Sequence, residues 1–230
     1  MAYLENKFFL LALTFGAFVL SKWLQRKTGW VLLNPILLAI ALLIVVLQFT
    51  GVSYDTYSEA GSLVEFWLKP AVVALGVPLY LQLKMIRKQL VPILVSQLAG
   101  CIVGLVSVTL IAKLLGATPE VVMSLAPKSV TTPIAMEVSA SVGGIPSLTA
   151  AVVIVVGLFG AICGFKVLQV GRVGSPIAQG LSIGTASHAV GTSKAMEVSG
   201  KYGAYASLGL TLNGILTALL SPTILHLLFG

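Results

Sequence analysis

Apolar runs separated by short basic or polar clusters fill almost the whole chain, and about 20 such residues make one membrane-spanning helix. The pattern predicts a first helix over Tyr3–Leu20, stopped by Lys22, Arg26 and Lys27, and a second over Trp30–Thr50, with Asn34-Pro35 marking a local unwinding. A polar loop holding Asp55 and Glu59 follows. A third helix over Leu63–Leu83 contains Pro70 and Pro78 and ends at Lys84, Arg87 and Lys88; prolines are tolerated where neighbours satisfy the freed carbonyls. A fourth covers Leu90–Leu115, with Gly100 and Gly104 at a spacing that lets another helix pack close.

The apolar pattern then fails twice. From Pro119 to Gly144 it is interrupted by Pro127, Lys128, Ser129, Thr131, Thr132 and Pro133, and from Ser175 to Lys201 by Gly180, Gly184 and Gly191. An unbroken run over Pro146–Val170 separates the two interruptions, and another over Tyr202–Phe229 ends the chain. Each interruption holds the same pentapeptide, Ala-Met-Glu-Val-Ser, at 135–139 and again at 195–199, sixty residues apart. Duplicated units whose ionisable groups lie at helix breaks are the mark of an intramembrane site built from discontinuous helices.

Composition fixes the class. Hydrophobic residues make up 57% and charged residues 9%, with a mean hydropathy of +1.03, far from the roughly 25% charged residues of a soluble domain. The expectation is one all-α, multi-pass membrane domain with about six spanning helices and two re-entrant hairpins forming an inverted repeat. Residues 1–88 form a scaffold, and 89–230 a transport core whose repeated units cover about 119–170 and 175–230. The net charge of +7 is spread singly or in threes between apolar runs, so it reads as a topology signal rather than as a nucleic-acid surface. If both interruptions are hairpins, ten basic residues fall on one side and four on the other; full crossing of the first would weaken that bias. Cys101 and Cys163 lie in apolar runs, giving neither a disulfide framework nor metal-ligand spacing. No catalytic or metal-binding motif is present, so neither an enzyme nor a cofactor-dependent protein is expected.

The candidate chemistry lies at the breaks. Lys128 and His188 hold equivalent positions in the two copies, and helix N-termini add partial positive charge beside them. With Ser129, Thr131, Thr132, Ser187 and Thr192 they suit a small carboxylate, and Asn213 in the last run is either a substrate contact or a helix-to-helix bond. The bland alternative is that Lys128 neutralises Glu137 and the hydroxyls cap frayed helices. Glu137 and Glu197 are expected either as a proton- or sodium-coupling pair or as groups touching water at the hairpin bases. Pro127, Pro133, Gly184 and Gly191 are the expected helix breaks, and His226 is expected at the interface.

At these residues the chain resembles the LrgB/CidB family of bacterial membrane proteins, to which the C-terminal half of the plant plastidic glycolate/glycerate transporter is similar. The resemblance rests on Leu-Ala-Pro-Lys-Ser-Val-Thr-Thr-Pro-Ile-Ala-Met-Glu at 125–137, Gly-Gly-Ile-Pro-Ser-Leu-Thr-Ala at 143–150 and Gly-Thr-Ala-Ser-His-Ala-Val-Gly-Thr at 184–192. Weaker support comes from 70–80 and from Leu33-Asn34-Pro35. The resemblance implies a bacterial inner-membrane protein and two different functions. One is control of murein hydrolase export and lysis, in the manner of a holin and antiholin, with a small LrgA/CidA-like partner. The other is transport of small monocarboxylates such as glycolate, glycerate or pyruvate, to which our reading of the chain adds alternating access in a homo-oligomer, expected to be a dimer. The duplicated unit with paired ionisable groups favours transport.

Overall fold

The computed structural model describes residues 5–29, 35–74, 80, 87 and 89–229, excepting the side chains of Glu65, Leu68, Lys69 and 71–74. Asn34, Pro78, Lys84 and Lys88, and with them the expected end of the third helix, lie outside the described residues. The chain divides into two compact units, Met1–Ala71 and Val72–Gly230.

The first unit holds α1 (Lys7–Thr28), α2 (Pro35–Thr50) and most of α3 (Tyr54–Ala74). Helix α1 is capped by the Asn6 side chain, which accepts from the Phe8 N–H at 2.9 Å, and ends on Gly29 at φ 67°. Its last turn absorbs Arg26 and Lys27, which the sequence pattern places beyond the helix; cations there face the negative end of the helix dipole. Asp55 and Glu59 likewise belong to a helix rather than to a loop: α3 begins at Tyr54, Asp55 occupies its first turn, and Glu59 pairs with Lys7 at 3.1 Å. The Thr14 and Tyr57 hydroxyls meet at 2.9 Å.

The second unit contains α4 (Leu90–Leu114), α5 (Pro119–Leu125), α6 (Thr132–Ser141), α7 (Pro146–Val170), α8 (Pro176–Val198) and α9 (Gly200–Phe229). Proline opens α5, α7 and α8 and follows the first residue of α6, where its missing N–H costs nothing and its fixed φ starts the helix. Among the described residues, α1, α4, α7 and α9 are long and apolar enough to cross a membrane. With 7 and 10 residues, α5 and α6 reach only about 10 and 15 Å, against a hydrocarbon core of about 30 Å. They form a hairpin, joined by the turn 126–131.

Helix α8 is a second hairpin. His188 breaks it with φ 42° and ψ −139°. Ile183 and Ala195 share a core cluster with Ala206, although a straight helix would hold them about 18 Å apart. Residues 189–198 therefore fold back on 176–187. A Cβ on Gly191 would approach the Ile183 side chain to 3.1 Å, so the side-chain-free position is what allows the halves to close on each other.

Contacts fix the direction of each piece. Residues 176–187 run parallel to α4, with Thr185 on Gln97 and Leu181 beside Ile93, and parallel to α9, with Gly180 on Tyr202 and Thr185 on Asn213. They run antiparallel to α7, where Gly164 faces Ile183 and Gly157 faces His188. Helix α6 is also antiparallel to α7, through Ser139–Thr149 and Ala135–Val153. Hence α4 and α9 start from one face and α7 from the other, and the two hairpins enter from opposite faces. Among the described residues of this unit, Arg87, Lys166, Arg172, Lys194 and Lys201 mark the face where α4 starts, while Lys113 is the basic residue on the other, with Glu120 and Glu137. The positive-inside rule assigns the first face to the cytoplasm.

Close packing of the second hairpin on α9 depends on Gly184, whose Cβ would sit on the Ala206 carbonyl, whereas Gly104 on α4 faces open space. Gly184→Ala is expected to cost about 1–3 kcal/mol or more and to lower the thermal midpoint in detergent. Gly104→Ala is expected to leave the midpoint unchanged or raise it slightly; equal midpoints for the two variants would contradict this packing.

Candidate functional site

The two hairpin tips converge on the middle of α7. Val130, in the turn of the first hairpin, packs on Val153, and His188, at the tip of the second, lies with Nε2 2.8 Å from the Val153 carbonyl. A carbonyl only accepts, so this nitrogen carries the proton. The ring fits because position 157 is glycine: a Cβ there would lie 2.5 Å from Cε1 and Nε2. The positive φ of His188, rare for any residue but glycine, stores strain of order 1–3 kcal/mol, held in place by this ring contact and by Thr192 Oγ1, which donates to the His188 carbonyl at 2.8 Å.

Asn213 of α9 joins the tips. Its Nδ2 donates to the Ser129 carbonyl at 3.2 Å and to the Thr185 carbonyl at 3.0 Å, one on each hairpin. Because both partners are acceptors, the amide orientation is fixed. Its Oδ1 is left buried without a partner, as is Thr131 Oγ1. The base of the first hairpin is closed by fully buried hydroxyls: Ser124 Oγ accepts from the Ile145 N–H at 2.7 Å, and Thr149 Oγ1 lies 2.7 Å from Ser139 Oγ.

Beside the tips lies a cavity of about 670 Å³, bounded by α4, the first half of α8, α9 and the turn of the first hairpin. It runs from Gln89 and Ser175 at the basic face to Lys128, Ser129 and Asn213 at the tips, and its walls are mostly apolar, among them Pro92, Ile93, Leu105, Ile177 and Leu181. Lys128 Nζ donates to Ser129 Oγ at 3.0 Å. Among the described residues the ion pairs are Lys7–Glu59 and Lys194–Glu197, so the Lys128 ammonium has no carboxylate of theirs within 4 Å. Glu137 lies exposed on the returning half of its hairpin and does not neutralise it.

The sequence-derived candidates therefore separate. Lys128, Ser129 and Asn213 line the cavity. His188, Ser187 and Thr192 are buried in the packing of the second tip and do not line it; the large side chain that bends the tip is also what fills the space behind it. Thr131 and Thr132 start α6 beside the cavity without lining it. Glu137 and Glu197 depart from the expectation of an ion-coupling pair inside the site: neither is buried, and Glu197 pairs with Lys194 at 2.8 Å. Glu137 is the sixth residue of α6, about 8 Å along it, and Glu197 lies nine residues beyond His188, about 13 Å along the returning half of α8. Pro127 and Pro133 flank the first break, but the second turns at His188 itself, with Gly184 and Gly191 serving the packing around it. Two cavity residues escape the sequence reading. Thr185 Oγ1 lies 2.7 Å from Gln97 Oε1, and an amide inside the apolar run of α4 is the available signal.

A helical chain with membrane-length apolar helices and two opposed hairpins beside a partly polar cavity defines a polytopic membrane protein. Residues 14–227 match the LrgB-like family. The sequence is 37% identical to the holin-like protein CidB of Staphylococcus epidermidis and 36% identical to the holin-like protein CidB of Staphylococcus aureus, in each case covering 96% of both chains. It is also 36% identical to the uncharacterized protein YxaC of Bacillus subtilis, covering 95% of both. No solved structure matches. The chain belongs to the LrgB-like family and is a multi-pass bacterial membrane protein.

Asn213→Leu removes the donor to both tip carbonyls. It is expected to cost about 2–3 kcal/mol, the penalty for stranding buried acceptors, and to lower the thermal midpoint. An unchanged midpoint would show that Asn213 does not hold the tips.

Proposed function

We propose that the chain acts in the bacterial inner membrane as a holin-like protein that controls murein hydrolase activity and lysis together with a small LrgA/CidA-like membrane partner. The support is the family and the holin-like names of relatives that match along 96% of the chain. The test is expression of the chain, the partner, or both in a bacterium lacking its own copies, with murein hydrolase activity read by zymography and lysis by turbidity. The two together are expected to shift both readouts several-fold relative to either alone; no shift with the pair would contradict the proposal.

A second reading, secondary transport of small monocarboxylates, is favoured by one specific observation. Lys128 stands beside a cavity at the meeting point of two opposed hairpins, with no carboxylate within hydrogen-bond reach among the described residues. An ammonium in a low-dielectric site needs a counter-charge, and a carboxylate entering from the basic face supplies it. The placement of Glu137 and Glu197 lends no support to ion coupling at those residues. In proteoliposomes holding the chain, labelled glycolate, glycerate and pyruvate are the probes. Saturable uptake of at least one is expected, reduced tenfold or more in Lys128→Met while the thermal midpoint is retained. Uptake that does not saturate, or is equal in the variant, would contradict carrier function.

A further inference from the structure

Gln97 is an amide in the third turn of α4, 2% exposed, within a largely apolar run. Removing such a group from water without compensation costs several kcal/mol, so both ends of the amide need a partner. One end meets the Thr185 hydroxyl at 2.7 Å. The other forms no hydrogen bond with a described residue. Nor is it one of the side-chain atoms sealed without a partner among the described residues, Thr131 Oγ1 and Asn213 Oδ1, so it reaches the edge of the cavity that Gln97 lines with Lys128 and Ser129.

Thr185 ties this amide to the hairpin tips. Its hydroxyl meets Gln97 and its carbonyl accepts from Asn213, which in turn grips the Ser129 carbonyl. Gly100, one turn along α4, brings that helix close: a Cβ there would lie 3.3 Å from Thr185 Cγ2. The polar wall of the cavity is thus one connected row running from α4 through the second hairpin and α9 to Lys128 on the first hairpin. At one end stands a cation and at the other an amide group, and the rest of the cavity is largely apolar.

We propose that Gln97 is a ligand-contacting, specificity-determining residue: its free amide end holds the oxygen-bearing part of a small carboxylate whose charge is met by Lys128. The ligand is bound between α4 and the first hairpin rather than by the two tips alone. This rests on the transport reading above. Helix α4 then closes the site, and any motion that separates it from the hairpins opens the site and loses the ligand contact together.

The probe is whichever of labelled glycolate, glycerate and pyruvate shows saturable uptake into proteoliposomes. Gln97→Leu removes the contact. Gln97→Glu keeps the side-chain shape and an acceptor for Thr185 but replaces the NH2 group by an oxygen, which repels the carboxylate. Both are expected to raise the half-saturation concentration about tenfold, the loss of one hydrogen bond to a charged group, with the maximal rate within twofold. Thr149→Val removes a buried hydroxyl at the base of the first hairpin, where it meets Ser139 and the Ser124 carbonyl and does not line the cavity. It is expected to lower the thermal midpoint as Gln97→Leu does, while the half-saturation concentration stays within threefold. An unchanged half-saturation value in Gln97→Glu, or an equal rise in Thr149→Val and Gln97→Leu, would reduce Gln97 to a packing role and overturn the proposal. No saturable uptake of any probe by the wild-type chain would overturn the transport reading and this inference with it.

Discussion

Inside a bilayer every backbone polar group has to find a partner within the protein, and two broken helices put that demand where their tips meet. One side chain answers much of it. The Asn213 amide donates to a carbonyl on each tip, so α9 holds both hairpins through a single nitrogen. The His188 ring and the Val153 carbonyl provide the matching tie to α7. The glycines follow from these ties: Gly157 makes room for the ring, and Gly184 lets the second hairpin lie against α9. The cavity follows too, since tips held at mid-depth leave the space between α4 and the hairpins open towards the basic face.

The repeat is imperfect in an informative way. Lys128 and His188 are equivalent in sequence and both lie at tips, yet one lines the cavity and the other is packed into the helix behind it. The first tip is an irregular turn flanked by Pro127 and Pro133, which leaves a long side chain free to reach the cavity. The second reverses at a single strained residue whose own ring braces the turn. A duplicated architecture has thus been given one charged tip and one structural tip, and the cavity lies on the side of the charged one.

Much of this is legible in the chain. The apolar runs delimit α4 and α7 nearly to the residue. The two failures of the pattern mark both hairpins, because clustered prolines, glycines and hydroxyls cannot continue a lipid-facing helix. Charge asymmetry orients the second unit. The glutamates mislead: a carboxylate in an apolar segment draws attention by its cost, but periodicity alone does not say that the returning helix carries it away from the tip. Gln97 escapes for the opposite reason, since an uncharged amide in an apolar run is quiet, and its meaning depends on Thr185, which is 88 residues away in sequence. The hydropathy pattern starts α3 too late because Asp55 and Glu59 look like loop residues, although a helix tolerates both at its exposed start. The holin-like reading and the carrier reading share this core, for both need a membrane protein with elements able to rearrange, but only the carrier needs a charged cavity at the tips.

All of this depends on each hairpin returning to the face it entered, which labelling single cysteines with a membrane-impermeant thiol reagent, in a background lacking Cys101 and Cys163, measures directly. Cysteines at Thr118 and Gly143 are expected to react from one face, and cysteines at Ser175 and Lys201 from the opposite face. Reaction of positions 118 and 143 from opposite faces would mean that the first interrupted segment crosses the membrane, and the convergence of tips on Val153 and Asn213 would be wrong.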